Sequence, residues 1–323
     1  MNHSSNGLPS RLSKVTNIGV YSPSGPFSDV PFKLELFERG LQRIRSRGFE
    51  VVESARCRQV WHHMSALPKE RAADLHSLLA NQSVSAVLPS IGGHVAAQML
   101  QHLDFDAIAG SGAAVFGFSD NSIIPLILSA TTGQISFHSL CDVTFGFGRF
   151  TDDGRVTEQG ILNVLRSQRF DLHGTGQTAV IQGGVAEGKI LGGNLRAILT
   201  LAGTRWWPDW TDTILFWEAG DSMHAVQQDL TQLANCGVFD KLAGMVIGRA
   251  SRLKEDFYSP DQIAPLDMFL LDVLKLRNRF PIVVESDIGH DVENITIPLG
   301  ALSQLKATED GVSWTTPVQN SNE

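Results

Sequence analysis

The chain has 323 residues, a formal net charge of -8 and an apolar content of 42%. This length favours two globular domains with a real core, although a single large α/β domain is also possible. Because an acidic chain without a long basic run cannot neutralise many phosphates, the backbone of a nucleic-acid polymer is not expected as its main partner.

Cysteine usage and the N-terminal segment narrow the class further. The three cysteines, Cys57, Cys141 and Cys236, are far apart and form no CxxC pair, which argues against a disulfide framework and a zinc site. Residues 1–14 are polar and lack the apolar core of a secretory signal, and no apolar run reaches the length of a membrane span. These features predict a cytoplasmic, soluble protein with no metal, no cofactor and no membrane partner.

The first half of the chain alternates short β-type runs with amphipathic helices. Strands are predicted at 17–21, 49–52, 84–88 and from Val115, with helices at 32–47, 71–81, 95–103 and 121–130. This alternation predicts a mainly parallel, Rossmann-like sheet, in which ligands gather beyond the carboxyl ends of the strands. The Gly92-Gly93 turn and Ser119 both lie at such ends.

Ser119 lies at the tip of a predicted strand–turn–helix, in the stretch Val115-Phe116-Gly117-Phe118-Ser119-Asp120. Several unrelated hydrolases expose an activated hydroxyl on a turn of this kind. Ser and Asp are also favoured ahead of any helix, so this stretch alone favours an ordinary loop or capping serine.

Between residues 136 and 188 the pattern weakens, and glycine and polar residues become more frequent. We interpret this stretch as the connection between two domains. The predicted division is an N-terminal α/β domain over 1–140, a linker over 141–188 and a C-terminal domain over 189–323. In the second half we predict a Gly-Gly turn and helix over 189–201, further helices at 223–236 and 266–279, strands at 213–218, 244–248 and 281–285, and antiparallel β-structure over 295–317.

Two features of the second half resemble parts of nucleotide sites. The stretch 183–190 is one residue short of a P-loop, because Ile190 replaces the Ser or Thr that would bind Mg²⁺, and it lacks a clear βαβ setting, so it argues against a P-loop nucleotidase. Trp206 and Trp207 belong to a dense aromatic cluster. They are expected either to pack in the core or at a domain interface, or to stack on a planar ligand. Asn194 is a further candidate for a substrate contact.

A catalytic serine needs a base to take its proton and an acid to orient that base. His290 is the candidate base, because it follows a predicted strand in a Gly-His turn and histidine titrates near neutral pH. Glu218 is the candidate acid, because it is a charged residue at the end of an apolar strand, where a charge is unexpected unless it has a role. Each also has an ordinary alternative: a loop histidine and a surface carboxylate.

Taken together and in order, four separated blocks resemble the serine carboxypeptidases of the LD-carboxypeptidase superfamily (peptidase family S66). The resemblance runs from about residue 18 to 307 and is nearest to the microcin C immunity branch. The strand ending in Glu218 also matches. The blocks are Ser90-Ile91-Gly92-Gly93, Phe116-Gly117-Phe118-Ser119-Asp120, Leu191-Gly192-Gly193-Asn194-Leu195 with Ala202-Gly203-Thr204, and Gly289-His290 with Leu299-Gly300.

The resemblance implies Ser119 as nucleophile, His290 as general base and Glu218 as the acid that orients it. It implies an oxyanion hole of backbone N–H groups from Gly93 and Asp120, which a glycine turn allows to approach the substrate closely. It also implies an N-terminal α/β domain, a C-terminal α+β domain with β-barrel or sandwich character, a site in the cleft between them, and a homodimer.

The substrate class is open at this point. The Ser-Ile-Gly-Gly block favours the immunity branch, which cleaves amide bonds in peptidyl- or aminoacyl-nucleotide antibiotics. The chain nevertheless lacks the long Trp-rich insertion of that branch, which leaves the murein LD-carboxypeptidases, which remove a terminal D-alanine, as the alternative. A non-catalytic protein that binds a small molecule is the alternative from another class.

Overall fold

The structure, a computed structural model, describes residues 7–139, 141, 156–172, 178–250, 253–254, 258–290 and 292–317. The chain forms two compact units. The first extends through Phe170 and includes Thr296–Gly300, whereas the second comprises Asp171–Ile295 and the segment that begins at Ala301. In the part of the chain that is described, no helix combines the length and the apolar character needed to cross a membrane.

The first unit is built on a six-stranded sheet in the order β11-β5-β4-β3-β1-β2. Five strands run parallel, and only β11 is antiparallel, next to β5. Numbered in chain order, they are β1 Asn17–Tyr21, β2 Glu50–Glu53, β3 Val84–Pro89, β4 Ala114–Gly117, β5 Ser136–His138 and β11 Ile297–Leu299. The α-helices are α1 Pro31–Ser46, α2 Pro68–Ala80, α3 Phe105–Gly110, α4 Ile123–Thr132 and α5 Val156–Ser167.

The buried centre of this sheet accounts for the apolar runs from which the α/β fold was predicted. All residues of β3 and β4 are buried, as expected for parallel strands that helices cover on both faces. The first seven residues of α4 are buried as well, so this helix packs in the core directly after the Ser119 turn. The edge strand β2 is only half-buried. The core therefore fixes the strand end from which Ser119 projects.

The second unit contains a seven-stranded sheet in the order β13-β12-β7-β8-β9-β10-β6. Four neighbouring strands, β7 to β10, run parallel, and the flanking pairs are antiparallel. The edge strands β6 and β13 contact each other, so the sheet curls toward a barrel. The strands are β6 Ala179–Gln182, β7 Gly184–Asn194, β8 Thr213–Glu218, β9 Leu242–Ile247, β10 Ile282–Val284, β12 Leu302–Thr308 and β13 Gly311–Thr315. The helices are α6 Leu195–Leu199, α7 Met223–Asn235 and the short α8 Leu266–Met268. The predicted fold class is confirmed.

The stretch 136–188, interpreted from the sequence as the connection between two domains, contains β5, α5, β6 and the first half of β7 among its described residues. One element prediction was wrong because glycines were interpreted as a turn. The Gly192-Gly193 pair lies inside β7, where a Cβ on Gly192 would overlap Phe216 O, and the helix that follows begins only at Leu195. Glycine here allows close approach of two backbones rather than a turn.

Two further helices differ in type or length from the prediction. The segment Ala96–His102 is a 3₁₀-helix rather than an α-helix. The helix predicted over 266–279 ends much earlier, because a π-helical turn, Phe269–Val273, follows α8 and positive φ angles at Lys275 and Asn278 break any continuation. The division into domains at 140 and 188 stays a prediction.

Candidate active site

Ser119 occupies a strained turn between β4 and α4. Strand β4 ends at Gly117, Phe118 is extended, and Ser119 has a φ of 56°, after which a 3₁₀-helix, Ser119–Ser122, leads into α4. A left-handed φ is unfavourable for a residue with a Cβ and is common where a functional side chain must be presented. This is the strand–turn–helix geometry of an exposed nucleophile.

Two glycines, Gly117 and Gly92, allow close packing around the Ser119 turn. A Cβ added to Gly117 would lie 2.7 Å from Asn121 O and 2.8 Å from Pro125 Cδ, so no larger residue fits there without displacing the start of the helix. A Cβ added to Gly92 would lie 3.0 Å from Ser119 Oγ. The loop after β3 therefore approaches the hydroxyl with its backbone, as an oxyanion site requires.

Gly93 is packed just as tightly against the segment after β1. Gly25 N donates a hydrogen bond of 3.2 Å to Gly92 O, and a Cβ on Gly93 would lie 2.7 Å from Gly25 N and overlap Ser24 Oγ. The structure thus brings Ser119, Asp120, Gly92 and Gly93 into one small region of the first unit. The roles of Gly93 and Asp120 as oxyanion donors stay predictions.

A buried arginine, missed by the sequence analysis, supports this region. Arg71, on α2, is 1% exposed, and its Nη1 donates to Pro23 O and, over 3.1 Å, to Val95 O. Its Nη2 donates to Gln98 Oε1 over 2.8 Å. Burial lowers the pKa of Arg71 to about 10, and the negative charge of Asp120 opposes this shift. The guanidinium therefore remains protonated at neutral pH.

The second unit brings together Glu218 and His290. Glu218 is the last residue of β8 and is 1% exposed, and its Oε2 lies 2.7 Å from His290 Nδ1. The His290 side chain is 37% exposed. Because the carboxylate faces Nδ1, it favours the tautomer with the proton on that nitrogen, and Nε2 is then the nitrogen that can accept a proton. This is the arrangement of an acid that orients a general base.

Asparagine side chains hold both members of this pair. Asn194, at the end of β7, donates from Nδ2 to Glu218 Oε1 over 2.9 Å and accepts from Ala197 N over 3.1 Å. Asn294 holds the turn before His290, because it accepts from Gly289 N and donates to Gly289 O, both over 2.8 Å. Each asparagine thus has both a donor and an acceptor bond, which fixes its orientation.

The structure separates the three candidate substrate contacts. Asn194 lies beside Glu218, whereas the two tryptophans follow α6 on a loop. Trp206 is half-buried under the Arg205 guanidinium, 4.6 Å from the ring centroid, and Trp207 packs edge-on against the buried Trp210 at 5.7 Å. These contacts favour packing for the tryptophans, and all three substrate roles stay predictions.

Comparison with known proteins covers nearly the whole chain. Residues 18–139 match the model of the LD-carboxypeptidase N-terminal domain, and residues 187–305 match that of the C-terminal domain. The microcin C7 self-immunity protein MccF of Escherichia coli is 24% identical over 340 residues, which covers 95% of each chain.

Solved structures show the same fold. The structure of MccF in complex with glutamyl sulfamoyl guanosine superimposes with a TM-score of 0.81 at 22% identity, covering 96% of this chain and 97% of that one. A muramoyltetrapeptide carboxypeptidase from Oxalobacter formigenes gives a TM-score of 0.76 at 25% identity, covering 93% of this chain and 98% of that one.

Proposed function

The chain belongs to the LD-carboxypeptidase family of serine peptidases, and on that premise we propose that it hydrolyses an amide bond with Ser119, His290 and Glu218 as a catalytic triad. The observation that carries this proposal is the buried Glu218 carboxylate 2.7 Å from His290 Nδ1. The positive φ of Ser119 at the end of β4 supports it independently.

The proposed reaction has two steps, acylation and deacylation, and each passes through a tetrahedral intermediate. His290 Nε2 takes the proton of Ser119 as Oγ attacks the carbonyl carbon, and Glu218 stabilises the imidazolium that forms. The backbone N–H groups of Gly93 and Asp120 receive the oxyanion. His290 then protonates the leaving amine, which gives an acyl-enzyme, and a water molecule activated by the same histidine releases the acid and regenerates Ser119.

For the substrate, we propose a peptidyl- or aminoacyl-nucleotide, so that the enzyme detoxifies an antibiotic conjugate. The Ser90-Ile91-Gly92-Gly93 block supports this choice, as does the similarity to MccF, a self-immunity protein whose structure holds an aminoacyl sulfamoyl nucleoside. Removal of D-alanine from a murein tetrapeptide is the second candidate, which the similarity to a muramoyltetrapeptide carboxypeptidase favours. Action in the cytoplasm as a homodimer is part of the proposal.

The test is hydrolysis of both substrate classes by wild type, Ser119→Ala and Ser111→Ala, with products identified by mass spectrometry. We expect Ser119→Ala to lose at least about 10³-fold in kcat. Ser111, at the end of α3, provides the matched control, and its variant should keep full turnover. Turnover retained by Ser119→Ala would contradict the triad. Failure to react with a serine-directed phosphonate, together with a ligand recovered unchanged, would instead indicate a binding protein.

A further inference from the structure

A carboxylate outside the proposed triad lies beside the nucleophile. The Asp120 side chain is 8% exposed, and its Oδ2 accepts three hydrogen bonds. The donors are Ser24 Oγ at 2.5 Å, Val95 N at 2.8 Å and Ala96 N at 2.8 Å. Hydrogen bonds to an ionised carboxylate are about twice as strong as neutral ones, so Asp120 Oδ2 holds these three donors firmly.

The three donors belong to the two chain segments that flank Gly93. Val95 and Ala96 come two and three residues after Gly93, where the loop ends and the 3₁₀-helix begins. Ser24 packs against Gly93 from the other side, where Gly25 N also bonds to Gly92 O. The carboxylate of Asp120 therefore fixes the backbone of Gly93 from both directions.

Arg71 connects the same two segments. It donates to Pro23 O on one segment and to Val95 O on the other, and its charge is opposite to that of Asp120. A buried charge without a partner is strongly destabilising, whereas a compensated and hydrogen-bonded pair is tolerated. Burying two charges costs desolvation free energy, so their placement around one glycine loop indicates that the loop has a role beyond folding.

We propose that the Asp120 carboxylate, supported by Arg71, is a positioning residue that fixes the oxyanion donors relative to each other. The proposal rests on the function proposed above. Asp120 and Gly93 supply the two N–H groups. The side chain of Asp120 also holds the loop that contains Gly93. Because the oxyanion forms only after attack, in the tetrahedral intermediate and the transition states around it, the carboxylate acts on kcat and leaves substrate binding unchanged.

The test compares Asp120→Asn with Asp74→Asn. Asp74 is a matched control, because it is a buried carboxylate of the same unit that accepts from Ser54 Oγ and Arg56 N, each at 2.8 Å. It lies on α2, three residues after Arg71, and these two bonds reach residues that follow β2, a strand three places from β4 in the sheet. Both variants should lose thermal stability. Only Asp120→Asn should lower kcat, by about 30- to 100-fold with KM within twofold.

A second measurement separates positioning from general destabilisation. When a phosphonate labels the serine, Ser119 Oγ displaces the leaving group from phosphorus while the phosphoryl oxygen occupies the oxyanion site, so Asp120→Asn should slow labelling as well as kcat. Ser24→Ala removes one of the three bonds and should give a smaller loss in both rates. This variant provides the test if Asp120→Asn does not fold. Equal rates for Asp120→Asn and Asp74→Asn, or for Ser24→Ala and wild type, would overturn the inference. Turnover by Ser119→Ala would instead overturn the proposed function.

Discussion

The two units hold their candidate catalytic residues by different physical means. In the first unit, Ser119 is placed by its backbone: a left-handed φ, a tight contact at Gly117, and the Gly92 backbone close to its hydroxyl. In the second unit, His290 is placed by side-chain hydrogen bonds: its ring donates to the Glu218 carboxylate, and Asn294 bonds to the preceding turn. The proposed nucleophile therefore depends on steric fit, and the proposed base depends on charge and hydrogen bonding.

This difference determines which substitutions matter in each unit. Adding one methyl group should be most damaging around Ser119, where glycines make room for neighbouring backbone. Exchanging an oxygen for a nitrogen should be most damaging around His290, where one proton decides the tautomer. The following predictions test that contrast, beginning with the largest effect.

Glu218→Gln should lower kcat by about 10³- to 10⁴-fold, because an amide at this place no longer stabilises the imidazolium and permits the wrong tautomer. The fold should be unaffected, since the shape of the side chain is kept. Steady-state kinetics with unfolding curves measured in parallel will check this. A loss smaller than tenfold in a folded variant would show that Glu218 does not orient the base.

Gly117→Ala should lower kcat by about 100-fold, because the added Cβ must push the start of α4, and Ser119 with it, out of place. The same strain should cost about 1–3 kcal/mol of stability. The matched control is Gly110→Ala in α3, where an added Cβ meets nothing within 4 Å. Wild-type turnover in Gly117→Ala would show that the turn is more yielding than its packing indicates.

Glu158→Gln should change the pH dependence of stability and leave turnover intact. Burial alone would raise the pKa of Glu158, but hydrogen bonds from Arg43 on α1 and from Arg47, the residue that follows α1, outweigh it and lower the pKa below the ordinary 4.5. The added stability is therefore present above pH 4.5 and lost as the pH falls through the lowered pKa.

Urea unfolding at a series of pH values from neutral to about 3 will measure this loss for wild type and for Glu158→Gln. The variant should be less stable near neutral pH and should lack the corresponding decline in acid. Glu35→Gln is the control on α1, because Glu35 is exposed and its nearest cation, Arg39, is 3.9 Å away. Parallel curves for wild type and Glu158→Gln would contradict the assignment.

The sequence predicted the parallel sheet and the strand ends well, because β3, β4 and β8 are short apolar runs that become fully buried. It predicted Ser119, Glu218 and His290 as candidates, but a resemblance to a family was needed to favour them over capping and surface residues. The glycines of β7 were misinterpreted, because a glycine that admits a neighbouring backbone has the same letter as one that makes a turn.

The supporting residues could not be predicted, because their partners are far away in sequence. Arg71 bonds to residues 48 and 24 positions away, and Asp120 to one 96 positions away. An arginine or aspartate on an amphipathic helix or in a turn gives no local sign that it will be buried. Asn294 is the exception, since an asparagine four residues after a Gly-His turn is a natural candidate to bond to that turn.

Strand β11 gives the first unit an unusual dependence on the end of the chain. It pairs with β5, yet Ile297 and its partner His138 are 159 positions apart (297 − 138), and most of the second unit lies between them. During synthesis the sheet cannot be completed until the ribosome has released residue 299, so β5 remains an open edge while most of the chain is being made. Open strand edges promote aggregation, and such distant pairing slows folding. Expression of the first unit as a fragment ending at Phe170 should therefore require β11 to be supplied, either by fusion or as a separate peptide.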